Sequence, residues 1–369
     1  MKKLGKHKIL FWAGSFLFLL ILASNFLFEY FLPFQEKNAF LYDLLRKKFE
    51  RRLVYDGMKN KEPTWLFLGD SQLMSGINPA ELQKSTGKRI LFLPRPSEQP
   101  EGILIRINEL LSSGWKPEKI FLNANYFNTA DVDIVPAHRS LVLNYDSFRW
   151  SLYWNSQERT FYFRNIGDAL FFALARIFPL MKLNSAISSE IRTIPKTEQF
   201  LETDPRLSEI LSVNPIERWK TNRDKNERLV AELERNEGFL EWNNSEIYTG
   251  KCVPNHSPQA LPGRGWESNY KKMRSSSLAA WKSIFKILKK ENISFEVLLI
   301  PSRPDFVTAV GEDNALSQFE TVLKKDEIPF VKPEEPFEIS VFGDYTHLNA
   351  CGVKKLTRWF LTINTRSYL

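Results

Sequence analysis

From Ile9 to Phe28 the chain carries no charged residue, and the run is rich in Leu, Phe and Ile, including Leu10, Phe11, Phe16, Leu17, Phe18, Leu19, Leu20, Ile21 and Leu22. A run of this length is long enough to span a bilayer as one helix. Lys2, Lys3, Lys6 and Lys8 stand before it. Basic flanks stay on the cytoplasmic side, which puts the bulk of the chain outside, in the periplasm or at the cell surface. A cleaved signal peptide is the rival reading. Ala23 and Ser24 have Leu20 and Ile21 three positions earlier rather than small residues, and the apolar run continues through Phe26, Leu27 and Phe28. Residues 1–8 therefore read as a cytoplasmic flank and 9–28 as an uncleaved transmembrane anchor.

Charge and cysteine content narrow the partners. Lys and Arg number 51 against 43 Asp and Glu, a formal charge of +8, and the four lysines of the flank supply half of that excess. The rest is mixed among acidic residues with no basic stripe or nucleic-acid motif, so the membrane is an expected partner and nucleic acid is not. With 43% hydrophobic and 25% charged residues, the chain is globular rather than disordered. Cys252 and Cys351 form no CxxC pair, so neither a zinc ribbon nor a redox dithiol is expected, and no metal or cofactor motif stands out. A disulfide between them and two separate buried thiols both remain open.

The organisation after the anchor falls into four parts. Residues 29–62 read as a stalk, in which Ala39, Leu41, Leu44, Leu45, Phe49 and Leu53 recur at helical spacing among Lys and Arg. Either a solvated amphipathic helix or a membrane-surface helix fits that pattern. Strands and helices then alternate through 63–126: Trp65–Leu68 a strand, Pro79–Ser85 a helix, Ile90–Leu93 a strand, Ile103–Leu111 a helix and Ile120–Leu122 a strand. Residues 127–267 break the pattern and read as a helical insert or lid, with an apolar helix over 168–181 and a charged one over 217–237. The alternation resumes over 268–369. Trp281, Ile284, Phe285 and Leu288 mark a helix, Phe295–Ile300 a strand, and Leu316, Phe319, Val322 and Leu323 a helix. Pro329–Val331 reads as a short strand and Val353–Ile363 as a final helix. Such alternation predicts an α/β domain with a parallel sheet covered on both faces. Ligands in that class bind beyond the carboxyl ends of the strands, where Ser71, Ser97, Asn125, Arg303 and the segment at Asp344 all fall.

Two short segments carry candidate chemistry. Gly69-Asp70-Ser71 closes the first strand and would expose a serine at the carboxyl edge; by itself it is as readily a turn in which Asp70 or Ser71 caps the next segment. Asp344-Tyr345-Thr346-His347 precedes the last helix. Three-residue spacing lets the carboxylate hold one imidazole nitrogen while the other faces a nucleophile, although local capping by Asp344 would leave the same trace.

The chain resembles the SGNH (GDSL-like) hydrolase superfamily. Trp65-Leu66-Phe67-Leu68-Gly69-Asp70-Ser71-Gln72 matches its first block. Asp344-Tyr345-Thr346-His347-Leu348-Asn349 matches its last, in the same order and near the carboxyl end. The likeness covers 65–125 and 268–363 and leaves the insert unexplained. It implies a three-layer, flavodoxin-like parallel sheet with a Ser71–His347–Asp344 triad and no cofactor. It also implies an oxyanion site built from the Ser71 amide, Asn125, and a donor near Ser97 or Gly102. The family's glycine and aspartate around the asparagine are absent here. Arg95 and Arg303 are candidate contacts for an anionic substrate, with solvated surface arginines as the alternative. The anchor and insert are similar to bacterial membrane-anchored members that O-acylate cell-envelope polymers. That likeness implies an esterase or acyltransferase acting on an envelope polysaccharide, beside a polytopic membrane O-acyltransferase, or else a non-catalytic accessory protein of the same system.

Overall fold

Five apolar runs form one parallel sheet in the computed structural model of the chain: β1 (Thr64–Leu68), β2 (Arg89–Phe92), β3 (Lys119–Ala124), β4 (Ser294–Leu299) and β5 (Phe330–Val331). The structure describes residues 2–31, 50, 52–55, 64–95, 98–130, 154–155, 160–161, 174, 177–178, 228, 231–232, 234–239, 252, 260–261 and 265–365. The chain divides into two compact units. One comprises Met1–Leu45, Val142–Asn144 and Phe163–Val230, and the other comprises Arg46–Leu141, Tyr145–Tyr162 and Ala231–Leu369.

In the first unit the main described element is α1 (Lys2–Phe31). Its stretch Lys8–Leu27 is long and apolar enough to cross a membrane, and Phe11, Trp12, Phe16 and Phe26 are exposed along it.

The second unit holds the sheet, in the order β2-β1-β3-β4-β5 with every pairing parallel. Helices α2 (Ser71–Met74), α3 (Pro79–Thr86), α4 (Pro100–Ser112) and α5 (Tyr126–Thr129) lie in its first half. Helices α6 (Ser275–Lys290), α7 (Pro304–Val310), α8 (Ala315–Lys325) and α9 (Ala350–Thr365) lie in its second.

Successive strand side chains point to opposite faces, and here both faces are covered. Leu66, Leu68, Leu91, Ile120, Leu122 and Val297 pack with Ile103 and Ile107 of α4, Trp281 and Ile284 of α6, and Phe319 of α8. Trp65, Phe67, Phe92, Phe121 and Leu298 pack on the other side with Leu82 of α3 and Leu356 and Phe360 of α9. Phe67 stacks on Phe121 at 4.6 Å, and Phe360 meets Phe121 edge-on at 5.0 Å. Burial on both faces is why these strands read as unbroken apolar runs rather than alternating ones. The strand order turns back at β1, which has β2 on one side and β3 on the other. In α/β sheets such a reversal point, at the carboxyl ends of the strands, is where ligands bind.

The boundaries follow local chemistry. Asn78 caps α3 by accepting from the amides of Ala80 and Glu81, Pro79 takes the first position, and Gly87 ends the helix at φ 66°. Pro100 likewise opens α4, three residues before the expected start at Ile103. Helix α7 was not anticipated: no element is expected between the strand ending at Ile300 and the helix marked by Leu316, but Pro304 is the first residue of a helix. Within the insert, read mainly as helical with few clear strands, Trp154–Asn155 pairs antiparallel with Thr160–Phe161. The expected helices over 168–181 and 217–237, and most of the stalk, lie largely outside the described residues. Cys252 and Cys351 form a disulfide, which resolves the open reading of the two thiols.

Candidate active site

The turn that carries Ser71 begins where β1 stops. Gly69 runs so close to β3 that a Cβ there would lie 2.5 Å from the Cβ of Asn123, a contact no side chain tolerates. Asp70 has extended backbone angles and caps α2, its Oδ1 accepting the Gln72 amide at 3.0 Å. Ser71 is therefore the first residue of α2, half-buried at the strand end. Its amide is among those a helix leaves without an internal acceptor.

The second loop is fixed from both sides. The Gly343 amide donates to the His347 carbonyl at 2.8 Å. Asn349 accepts from the amides of Cys351 and Gly352 at the start of α9 and donates to the carbonyl of Ser340 at 2.8 Å. Inside this loop the two oxygens of Asp344 divide the work. Oδ1 accepts the amides of Thr346 and His347, each at 2.7 Å, and Oδ2 lies 2.7 Å from His347 Nδ1. The carboxylate thus holds the proton on Nδ1 and leaves Nε2 as an acceptor. Ser71 Oγ lies 2.9 Å from that nitrogen. Asp344 thus caps the turn with one oxygen and contacts the imidazole with the other. Burial would raise its pKa, but the hydrogen bond and charge of His347 and the two turn amides hold it below the ordinary carboxylate value.

The other expected residues are placed differently. Asn125 is fully buried and caps α5. Its Oδ1 accepts from the amides of Phe127 and Asn128, and its Nδ2 donates to Asp70 Oδ2 at 2.7 Å and to Asn123 Oδ1 at 3.3 Å. Both amide hydrogens are spent inside the protein, so the expected oxyanion donor is already engaged. Ser97 lies outside the described residues. The Gly102 amide donates to the Gln99 carbonyl at 2.8 Å, within the first turn of α4.

The two arginines are buried and each is paired with a carboxylate, which corrects the reading of them as solvated surface groups. Arg95 is 6% exposed and is gripped by Glu50 through Nε at 3.3 Å and Nη2 at 2.6 Å. Arg303 is 1% exposed and forms a forked pair with Asp305 at 2.6 and 2.9 Å. Sequence periodicity cannot see such partners, because Glu50 belongs to the stretch read as a stalk.

Two features escaped the sequence reading. Asp70 was seen as no more than a local cap. It is 3% exposed, and burial pushes its pKa up to about 6. The hydrogen bonds from Asn125 and Gln72 and the charge of His347 pull it down in part, and Glu98 pushes it up. The second feature is a group of aromatic rings around buried Phe306. Trp266 stacks on Phe306 at 5.0 Å, Tyr345 at 5.6 Å and Phe127 at 6.4 Å, and all three rings are half-buried. Tyr345 sits within the Asp344–His347 loop and Phe127 lies two residues after Asn125.

No family model matches the chain, and no curated protein or solved structure proves similar to it.

Proposed function

We propose that the chain is a membrane-anchored, extracytoplasmic serine esterase or O-acyltransferase of the SGNH type, acting on acyl groups of envelope glycans. The observation that carries this reading is the unbroken relay from Ser71 Oγ through His347 to Asp344, at 2.9 and 2.7 Å. The sheet order supports a flavodoxin-like domain, in which a site at the carboxyl ends of β1 and β3 is the expected place for a ligand. The disulfide suits an oxidising compartment, and α1 suits an anchor. The half-buried rings around Phe306 suit an acyl chain or the apolar face of a sugar.

In this mechanism Ser71 Oγ attacks the acyl carbonyl carbon and its proton passes to His347 Nε2. Asp344 stabilises the imidazolium through Nδ1. The negative charge that develops on the carbonyl oxygen faces the Ser71 amide. Collapse breaks the ester bond, and His347 returns the proton to the departing alcohol. A sugar hydroxyl or water then repeats the sequence on the Ser71 ester, giving transfer or hydrolysis.

The test is labelling of the full chain with a fluorophosphonate. Wild type should be labelled at Ser71. Ser71→Ala and His347→Ala should each lose labelling while keeping the wild-type melting temperature, and the double variant should be no worse than either, since the pair acts as one unit. An unlabelled wild type would leave the accessory reading in its place. One observation favours that second reading: Asn125 has no hydrogen left to offer a substrate.

A further inference from the structure

Asp70 and Asn125 meet across the gap between β1 and β3, and every polar atom of their two side chains is engaged. Asp70 Oδ1 holds the Gln72 amide and Oδ2 receives Asn125 Nδ2 at 2.7 Å. Asn125 Oδ1 holds the amides of Phe127 and Asn128. The backbone amide of Asn125 donates to Asn128 Oδ1 at 2.9 Å, and Asn128 Nδ2 donates to the Asn123 carbonyl at 3.1 Å. Asn123, Asn125 and Asn128 are each 0% exposed, so this is a fully buried polar block at the end of β3. One residue of the nucleophile turn, Asp70, is bolted to it by a charge-assisted hydrogen bond, the stronger kind.

The bond has a direction. Asn125 cannot turn its amide round without facing two backbone donors with its NH2 group, so Nδ2 is held towards Asp70. Asp70 cannot leave without uncapping α2, whose first residue is Ser71. Resting on the reading of Ser71 as nucleophile, we propose that Asp70 is a positioning residue for it and that Asn125 is the other half of the clamp rather than a donor to the oxyanion. Asn123 Nδ2, buried with no hydrogen-bond partner, adds a useful asymmetry. It is available to a carboxylate placed at position 125, while an amide at position 70 would supply the donor in the opposite sense.

A reciprocal exchange tests the clamp. In the full chain, Asp70→Asn sets two NH2 groups against each other, and Asn125→Asp sets two carboxylates against each other. Each should lower the maximal fluorophosphonate labelling rate at Ser71 by about tenfold to a hundredfold, the scale of a misplaced nucleophile. The double variant Asp70→Asn with Asn125→Asp restores a donor–acceptor pair and should recover the rate to within a few-fold of wild type. The apparent affinity for the probe should hardly move. Independent losses that multiply in the double variant would overturn the clamp and return Asn125 to the oxyanion. Melting temperatures of the same four proteins decide the question without activity. Recovery in the double variant upholds the clamp, and additive losses reject it. A wild type that is never labelled would therefore sink the catalytic reading while the melting cycle still judged the clamp.

Discussion

Asp70 and Asp344 are two carboxylates near one histidine whose pKa values are pushed in opposite directions, and this makes their contributions to stability separable by pH. Asp344 is held below the ordinary value of 3.8. Its contribution is present above that value and is lost as pH falls through the lower, folded one. Asp70 is pushed up to about 6 from 3.8. Its contribution is full below 3.8 and is lost as pH rises through about 6, because its ionised form is the one that burial penalises. Two pKa units correspond to on the order of 3 kcal/mol. Asp70→Asn removes this titration. The melting temperature of the variant minus that of wild type should therefore climb between pH 4 and pH 7 and stay flat below pH 4. A difference that stays constant across the whole range would mean that Asp70 is not buried as a titrating acid. At this scale the meeting of Ser71, His347 and Asp344 was legible, since Gly69-Asp70-Ser71 closes the first strand and the Asp344–His347 spacing is local. The fates of Asn125, Arg95 and Arg303 were not. Two depend on partners that only the folded chain brings near, Asp70 lying 55 positions from Asn125 and Glu50 lying 45 from Arg95, whereas Arg303 pairs with Asp305, two positions on, at the start of a helix the sequence did not reveal.

Among the elements, β1 and β3 carry the site, and their fit at Gly69 sets how closely they approach. Gly69→Ala would place a Cβ at 2.5 Å from Asn123 and at 3.0 Å from Leu73. Neither neighbour is free to move, because Asn123 is in a central strand and Leu73 is 0% exposed in α2. The variant should lose about 1–3 kcal/mol, the usual cost of overpacking, and its labelling rate should fall with it, because Asn123 and the Asp70–Asn125 bond share this contact. A calorimetric melt alongside probe kinetics would check both, and a variant with native values for each would show that the strands have slack here. The five strands and the longer helices could be read from apolar runs and from the spacing of residues such as Trp281, Ile284, Phe285 and Leu288, since burial on one face leaves a periodic mark. Helix α7 could not. It is seven residues long, and its opening proline looks the same in a loop as at the first position of a helix. The paired strands at Trp154–Asn155 and Thr160–Phe161 are two residues each, too short for any period to show.

At the scale of the whole molecule, the proposed orientation rests on the apolar stretch Lys8–Leu27 behind a basic flank and on the Cys252–Cys351 disulfide, which suits an oxidising compartment. A reporter that works only after export, fused beyond Leu369, should be active. A fusion active only in the cytoplasm would overturn that orientation. The position of the disulfide has a topological consequence as well. Cys351 lies four residues beyond His347, and Cys252 lies between Ser71 and the Asp344–His347 loop. A protease cutting anywhere from 253 to 343 would separate Ser71 from His347 along the chain, yet the sulfur bridge would still join the two pieces. A cut between Ser71 and Cys252 would leave no such bond, and the serine piece and the histidine piece would be held together by packing alone. The same scission is therefore survivable on one side of Cys252 and precarious on the other.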